Sequence, residues 1–253
     1  METMQINSKK NFSNKKIKEM VNENFHLAEL FEKYGIDFCC KGDRFIEDVL
    51  TEKKISKPMF WDELNNFNLS SIAVDENYSN WEIEKLIQHI VDTHHAYVRN
   101  AIPQISMHLQ KVVKAQGKKY VFLEEVENVF SSVAEEMTSH MMKEERILFP
   151  LIVYLTKSRQ FKEKPKMRGF GTVQNPIRQM VAEHDSAGNA MERIRTLTKN
   201  YMIPSDACST FKVTYKELEE FEKDLHKHVH LENNILFPRA IELEDRLLNE
   251  IFE

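Results

Sequence analysis

The chain has 253 residues, which fits one large domain or a medium domain with a small companion. Its 35 basic and 40 acidic residues give a net charge of −5, which argues against a general nucleic-acid binder, because such proteins need a basic excess. With only six glycines and seven prolines, the composition disfavours β-sandwiches and β-barrels and favours long helices.

Three features bear on where the protein works. The longest apolar run covers nine residues (147–155), far below the roughly 20 that span a bilayer. The first residues are polar and basic, without the apolar centre of a secretory signal. Three cysteines, two of them adjacent, do not form a disulfide framework. The sequence therefore predicts a cytoplasmic protein without membrane or nucleic-acid partners.

Composition divides the chain into four parts. Residues 1–13 are predicted to be a disordered tail. Residues 14–70 are predicted to form a small domain of short helices, one of which covers 19–35 and ends at Gly35. Residues 71–80 are interpreted as a linker. From residue 81 to 253 the apolar period is helical and sustained.

The long C-terminal part contains four stripes of residues with 4-3 spacing, which is typical of an antiparallel four-helix bundle. They are Ile87, Val91, His95, Val98, Ile102, Ile105, Leu109 and Val112; Val126, Phe130, Val133, Met137, His140, Glu144, Ile147 and Leu151; Ile177, Met180, His184, Ala187, Met191 and Ile194; and Leu218, Phe221, Leu225, His228, Glu232 and Ile235. The fold class is therefore predicted as all-α, with a small helical domain preceding the bundle.

An internal repeat supports this interpretation. The segments SHMMKEERILFP (139–150) and KHVHLENNILFP (227–238) share His-x-x-x-Glu-x-x-Ile-Leu-Phe-Pro. VDTHHAY (91–97) and VAEHDSA (181–187) share a histidine at nearly the same displacement. If one helical hairpin is used twice, its turns fall near residues 117 and 206, where glycine and proline interrupt the helical pattern.

Six stripe positions carry side chains that bind metals: His95, His140, Glu144, His184, His228 and Glu232. A carboxylate buried in an apolar stripe is unfavourable unless it is paired with a cation. In His-x-x-x-Glu, both side chains lie on one helix face. Four imidazoles and two carboxylates that can bridge predict a dinuclear centre, and N/O donors without thiolate favour iron or manganese over structural zinc.

The remaining histidines are off these stripes and are interpreted as non-ligands: His26, His89, His94, His108, His226 and His230. His226 and His230 are expected on the solvated face opposite His228, whereas His94 is a candidate for orienting His95.

The adjacent pair Cys39-Cys40 leaves two interpretations open. The thiols either pack in the core of the small domain or act as transfer groups with a lowered pKa near a helix N-terminus. Cys208 is interpreted as structural.

The motifs DFCC (37–40), HH (94–95), SHMMKEERILFP, AEHDSAG (182–188) and HVHLENNILFP (228–238) together resemble the RIC proteins (repair of iron centres, ScdA type) over nearly the whole chain. The resemblance implies a Cys-bearing N-terminal domain and a hemerythrin-like bundle with two bridged non-haem irons. Its iron ligands fall on the same six positions. It also implies restoration of iron–sulfur clusters damaged by nitric oxide or oxidants, with damaged proteins or an assembly scaffold as partners, and a homodimer.

Two departures from the family pattern are visible. Lys41 stands where the family has the first glycine of Cys-Cys-Gly-Gly, and Gln116 stands where relatives carry a histidine. Gln116 lies 21 residues after His95, about 30 Å along a straight helix, so it is not expected to reach the centre.

The expected function is iron–sulfur cluster repair, with His95 and His140 on one iron, His184 and His228 on the other, and Glu144 and Glu232 bridging. Alternatives are a hemerythrin-like sensor or carrier of O₂ or NO, a di-iron NO reductase or peroxidase, and a metal-free interaction bundle. Whether the protein is an enzyme stays open at this point.

Overall fold

A computed structural model describes residue 12 and residues 14–70, 77–166, 169 and 171–249, and in 67–70 it describes the backbone alone. Nearly all of the predicted tail, and residues 71–76 of the predicted linker, lie outside this part of the chain. The described residues form helices and turns without a strand, which confirms the all-α fold class. None of the described helices is both long enough and apolar enough to cross a bilayer.

The chain divides into two compact units, Met1–Glu82 with Val229–Leu236, and Ile83–His228 with Phe237–Glu253. The first unit contains helices α1 (Ile17–Glu23), α2 (Leu27–Lys33), α3 (Ile46–Glu52) and α4 (Lys57–Ser70). The single helix predicted over 19–35 is therefore two helices, because α1 ends before Asn24. Gly35 follows α2 at φ +60°, a conformation that glycine adopts without strain.

The second unit contains most of the four-helix bundle. Its first helix comprises α5 (Ile83–His89), a π-helical segment (Ile90–His95) and α6 (Ala96–Gln116). The second comprises α7 (Phe122–Lys143), a π-helical segment (Glu144–Leu148) and α8 (Phe149–Phe161). The third is α9 (Gln174–Leu197). The fourth runs through α10 (Ser209–Leu231), a π-helical segment (Glu232–Leu236) and α11 (Phe237–Asn249).

The turns between bundle helices lie where the sequence predicts them. Gly117 directly follows α6, and its small size is required because a Cβ there would lie 2.5 Å from the carbonyl oxygen of Val113. The third and fourth helices are separated by residues 198–208. Tyr120 and Lys119, beside the first turn, both donate hydrogen bonds to Asp206 in the second, so the two turns are joined at one end of the bundle.

The π-helical segments shift the buried face of two bundle helices by one residue. A π turn contains an extra residue, so the 4-3 period changes phase where it occurs. In the first bundle helix before His95, the fully buried residues are Leu86 and Ile90, one position earlier than the predicted Ile87 and Val91. After Glu144, Leu148 is buried and Ile147 is 41 % exposed, so the predicted core position at Ile147 is wrong.

Candidate metal centre

Four buried side chains of the bundle approach one another around His95. The Nε2 atoms of His95 and His228 lie 3.2 Å apart, and Oε2 of Glu144 lies 3.3 Å from Nε2 of His95. Ligand atoms of these three residues and of Glu232 all lie within 4.8 Å of one another. This group could hold one metal ion.

A second group forms around His140. Its Nε2 atom lies 3.0 Å from Nε2 of His184 and 3.3 Å from Oε2 of Glu144. Glu232 completes this group as well, again with all ligand atoms within 4.8 Å. Glu144 and Glu232 belong to both groups, so the two groups share their carboxylates.

The grouping differs from the expected pairing of histidines. The expected pairing is His95 with His140 and His184 with His228. The structure instead groups His95 with His228 and His140 with His184, so that expectation is wrong. Each group thus combines histidines from the two halves of the repeat.

The donor distances fit six-coordinate cations. Two donors that each lie about 2.1 Å from an octahedral cation, at right angles, are about 3.0 Å from one another. In each group, the distance between the two histidines and one distance from a histidine to Glu144 are 3.0 to 3.3 Å. Imidazole and carboxylate donors without thiolate suit iron or manganese. The residues present therefore fit such cations, which would be held by His95 and His228 in one group, by His140 and His184 in the other, and by Glu144 and Glu232 in both.

Three of the ligand residues lie at the boundaries of π-helical segments. His95 ends the first segment, Glu144 begins the second and Glu232 begins the third. Isolated π turns are frequent at functional sites because they redirect individual side chains. Here they occur in the three helices that supply these residues, at equivalent places of the repeat for Glu144 and Glu232.

Glu145 orients His95 from behind. The Nδ1 atom of His95 donates a hydrogen bond to Oε1 of Glu145 at 2.6 Å, and Arg99 donates to the same oxygen. This bond fixes the proton on Nδ1, so Nε2 presents its lone pair to the centre. Burial pushes the pKa of Glu145 upward, but the hydrogen bonds from His95 and Arg99 outweigh it and the pKa lies below its ordinary value.

Glu183 plays the same part for His140. The Nδ1 atom of His140 donates to Oε2 of Glu183 at 2.9 Å, while Lys143 and Gln179 donate to its other oxygen. Burial alone would raise the pKa of Glu183, yet these donors hold it below its ordinary value. A cavity of about 320 Å³ lies beside this network and is lined by Lys143, Gln179 and residues of the same unit.

His94 acts on a different histidine from the one expected. Its ring stacks on that of His228 with centroids 5.6 Å apart, and its Nδ1 donates to Asp224 at 2.9 Å. His94 therefore supports His228 rather than its neighbour. His94 lies close to Asp224 because the helices that carry these two residues lie side by side, and the sequence does not reveal which helices are neighbours.

The repeated Leu-Phe-Pro element has a role that the sequence did not show. Phe149 lies nearly parallel to the ring of His95, and Phe237 lies parallel to the ring of His184. The two phenylalanines occupy equivalent positions of the repeat, 88 residues apart. Each fixes the plane of an imidazole from another helix.

The other off-stripe residues are in neither ligand group. His230, expected on the solvated face, is instead fully buried, and burial lowers its pKa to about 4. Gln116 is the last residue of α6, so the helix does not break to return it. Cys208, interpreted as structural, is exposed.

The cysteine pair lies in the first unit, before α3. Cys39 is buried and Cys40 half-buried. The hydrogen bond of Cys39 with Cys40, its burial and the nearby Asp37 raise the pKa of the Cys39 thiol well above its ordinary value, so the interpretation with a lowered thiol pKa does not hold for this residue. Lys41 is exposed and its φ is not positive, so a side chain fits at this position. The position that requires glycine is Gly42, because a Cβ there would lie 2.6 Å from the carbonyl oxygen of Phe38. The departure at Lys41 therefore leaves the turn intact.

Comparison with known proteins places these observations in a family. Residues 86–240 match the Hemerythrin HHE cation binding domain, and residues 13–68 match ScdA_N, a domain of unknown function (DUF542). The iron–sulfur cluster repair protein YtfE of an Enterobacter species is 32 % identical over 231 residues, covering 91 % of this chain and 98 % of the relative. The chain belongs to the ScdA/YtfE family.

Other members of the ScdA/YtfE family show the same relation. The iron–sulfur cluster repair protein ScdA of Staphylococcus haemolyticus is 31 % identical over 211 residues, 83 % of this chain and 90 % of the relative. YtfE of Escherichia coli O157:H7 is 32 % identical over 215 residues, 85 % of this chain and 90 % of the relative. These matches confirm the resemblance and the hemerythrin-like bundle.

Proposed function

We propose that this protein repairs iron–sulfur clusters damaged by oxidants or nitric oxide, by supplying iron from two ions held in its bundle. The observation that carries the proposal is the combination, in one chain, of an HHE cation binding domain with two ligand groups and an ScdA_N domain. Relatives matched over 90 % or more of their own length are named iron–sulfur cluster repair proteins.

The ligand set supports release as well as binding of iron. Two imidazoles and two shared carboxylates per position give four protein donors, whereas iron commonly takes six ligands. When bound, the pair of irons would supply open coordination positions for water or a small ligand. Lys143, which pairs with Glu183 behind His140, also lines the adjacent cavity.

We place the protein in the cytoplasm as a homodimer, with damaged iron–sulfur proteins or a cluster-assembly scaffold as recipients. Three free cysteines support a reducing compartment. The recipient's vacant cluster site, rich in thiolates, would accept the iron that the N/O ligands of the bundle release.

The test uses purified protein reconstituted anaerobically with ferrous iron. Elemental analysis should give two irons per chain, and anomalous scattering at the iron edge should show both in the bundle. Mixed with an apo cluster protein, sulfide and a thiol, the loaded protein should rebuild the cluster and lose iron in parallel. Absence of bound iron would support the metal-free alternative. Cluster formation no faster than with free iron, or N₂O produced over many turnovers with an electron donor, would overturn the proposal.

A further inference from the structure

A second set of metal-binding side chains lies in the first unit, in the turn before α3. The Sγ atoms of Cys39 and Cys40 are 3.7 Å apart, and Sγ of Cys39 is 3.3 Å from Oδ1 of Asp37. Ligand atoms of all three residues lie within 4.8 Å of one another. The bundle groups contain imidazole and carboxylate alone, so this set differs from them in chemistry.

The turn holds these donors in place before any ion arrives. Oδ1 of Asp37 accepts hydrogen bonds from the backbone N–H groups of Cys39, Cys40 and Lys41, at 3.1, 2.9 and 3.3 Å. The amide of Asn234 donates to the carbonyl oxygens of Phe38 and Cys39, at 3.3 and 3.1 Å. Both the carboxylate and the backbone that carries the thiols are therefore fixed, which reduces the entropy lost on binding.

The separations match a tetrahedral site. Two thiolates bound 2.3 Å from one tetrahedral cation are about 3.8 Å apart, and a thiolate and a carboxylate oxygen on such a cation are about 3.5 Å apart. The turn provides 3.7 Å and 3.3 Å. Cys40 and Asp37 are half-buried, so the three donors leave a fourth position toward solvent.

A disulfide between the same residues fits less well. Adjacent Cα atoms across a trans peptide are about 3.8 Å apart, whereas disulfides usually join Cα atoms 4.4 to 6.8 Å apart. Simple core packing does not account for the half-buried thiol of Cys40 or for the neighbouring carboxylate.

We propose that Asp37, Cys39 and Cys40 form a second metal site, which binds one borderline divalent cation such as Zn²⁺ or Fe²⁺. Binding replaces the two thiol protons, which pass to solvent, by two metal–thiolate bonds and one metal–carboxylate bond. Two thiolates favour such cations over Mg²⁺ and Ca²⁺, and the open position allows a thiol of another molecule to approach the bound ion. The evidence for this site does not rest on the function proposed for the bundle.

Cobalt(II) is a suitable probe, because thiolate ligation produces a near-ultraviolet charge-transfer band that N/O sites lack. Titration of the reduced, iron-loaded full chain should give this band at one cobalt per chain. Cys39→Ser and Cys40→Ser should each abolish the two-thiolate band. Asp37→Asn keeps an oxygen that accepts the backbone hydrogen bonds but removes the charge, and should weaken binding at least about tenfold.

Cys208→Ser is the matched control, because Cys208 is also a free cysteine but lies far along the sequence in an exposed position. It should leave the band unchanged, and circular dichroism should show all variants equally helical. The proposal is overturned if wild-type protein gives no band, if the full band survives in Cys39→Ser and Cys40→Ser, or if it disappears in Cys208→Ser. Because the readout is thiolate ligation, failure of cluster repair leaves this result unaffected.

Discussion

At the scale of single residues, the carboxylate of Glu145 controls His95 without facing the centre itself. Its Oε1 atom accepts a hydrogen bond from Nδ1 of His95 at 2.6 Å, and its side chain is only 28 % exposed. We expect Glu145→Gln to weaken iron binding about 10- to 100-fold, because a neutral amide makes the imidazole less basic and fixes its tautomer less firmly. Competition with a coloured chelator measures the change.

Glu135→Gln provides the control for that experiment, because Glu135 lies on α7 in the same bundle helix but is exposed. Its affinity for iron should equal that of the wild type. If the two variants hold iron equally well, Glu145 has no positioning role.

Glu144 and Glu232 are the residues on which both ligand groups depend. We expect Glu144→Leu and Glu232→Leu each to lose bound iron while the bundle remains folded, because a hydrophobe of similar size continues the apolar stripe. Replacing buried charge in this way is often neutral or stabilising. Elemental analysis and thermal unfolding measure the two effects, and two irons per chain in either variant would contradict the bridging role.

The sequence pattern is sufficient to predict that the six candidate ligands lie together, because each of them interrupts an apolar stripe that must face the bundle interior. It was not sufficient to pair them, since periodicity assigns a residue to a helix face but does not say which helices meet at one point. Glu145 and Glu183 were missed as supporting residues, and His94 was assigned to the wrong histidine, for a related reason: their partners lie on other helices.

At the scale of helices, π-helical segments separate the observed register from the predicted one in the first and second bundle helices. Strict 4-3 spacing assumes α geometry throughout, and one extra residue after Glu144 is enough to expose Ile147 and bury Leu148. A π turn holds more residues than an α turn, so successive side chains diverge less. This geometry lets Glu144 and Glu145 both reach His95.

Deletion of Ile147 tests whether this turn serves the centre. Without it, Glu144 and the buried residues of α8 follow regular 4-3 spacing, so we expect the bundle to stay folded. Iron binding should weaken at least about tenfold, because the side chains of Glu144 and Glu145 would diverge and could no longer both reach His95. Ile147→Ala, which removes the side chain but keeps the residue, should bind iron normally. Equal affinity in both variants would show that the π turn is dispensable.

At the scale of the whole molecule, we expect separable chemistry from the region that contains Cys39 and Cys40 and from the region that contains the predicted iron ligands. None of the six predicted iron ligands lies in residues 1–67. We expect Cys39→Ser combined with Cys40→Ser to retain two irons per chain but to fail in cluster repair, because a hydroxyl has no accessible anion near neutral pH. Iron content and repair are measured on one preparation.

Either of two results would contradict this division of labour. Full repair by the double variant would mean that the cysteines take no part in cluster repair. Loss of iron would mean that the turn before α3 and the bundle depend on one another for metal binding.

Composition located a small N-terminal region and a long helical one, but it could not show that residues 229–236 belong to the compact unit of the former. That segment is continuous in sequence with the fourth bundle helix. Its membership depends on contacts such as those of His230 with Phe25 and Phe38, which carry no local sequence signal.

This membership has a consequence for building hybrids between relatives. If only the N-terminal region is transferred to a relative, positions 230 and 234 come from that relative. The carbonyl oxygens of Phe38 and Cys39 then need hydrogen-bond donors from those two positions. Among relatives, substitutions at positions 230 and 234 should therefore occur together with substitutions at positions 37–40, although nearly two hundred residues separate them. Hybrids that carry these eight C-terminal residues along with the N-terminal region should keep the turn intact.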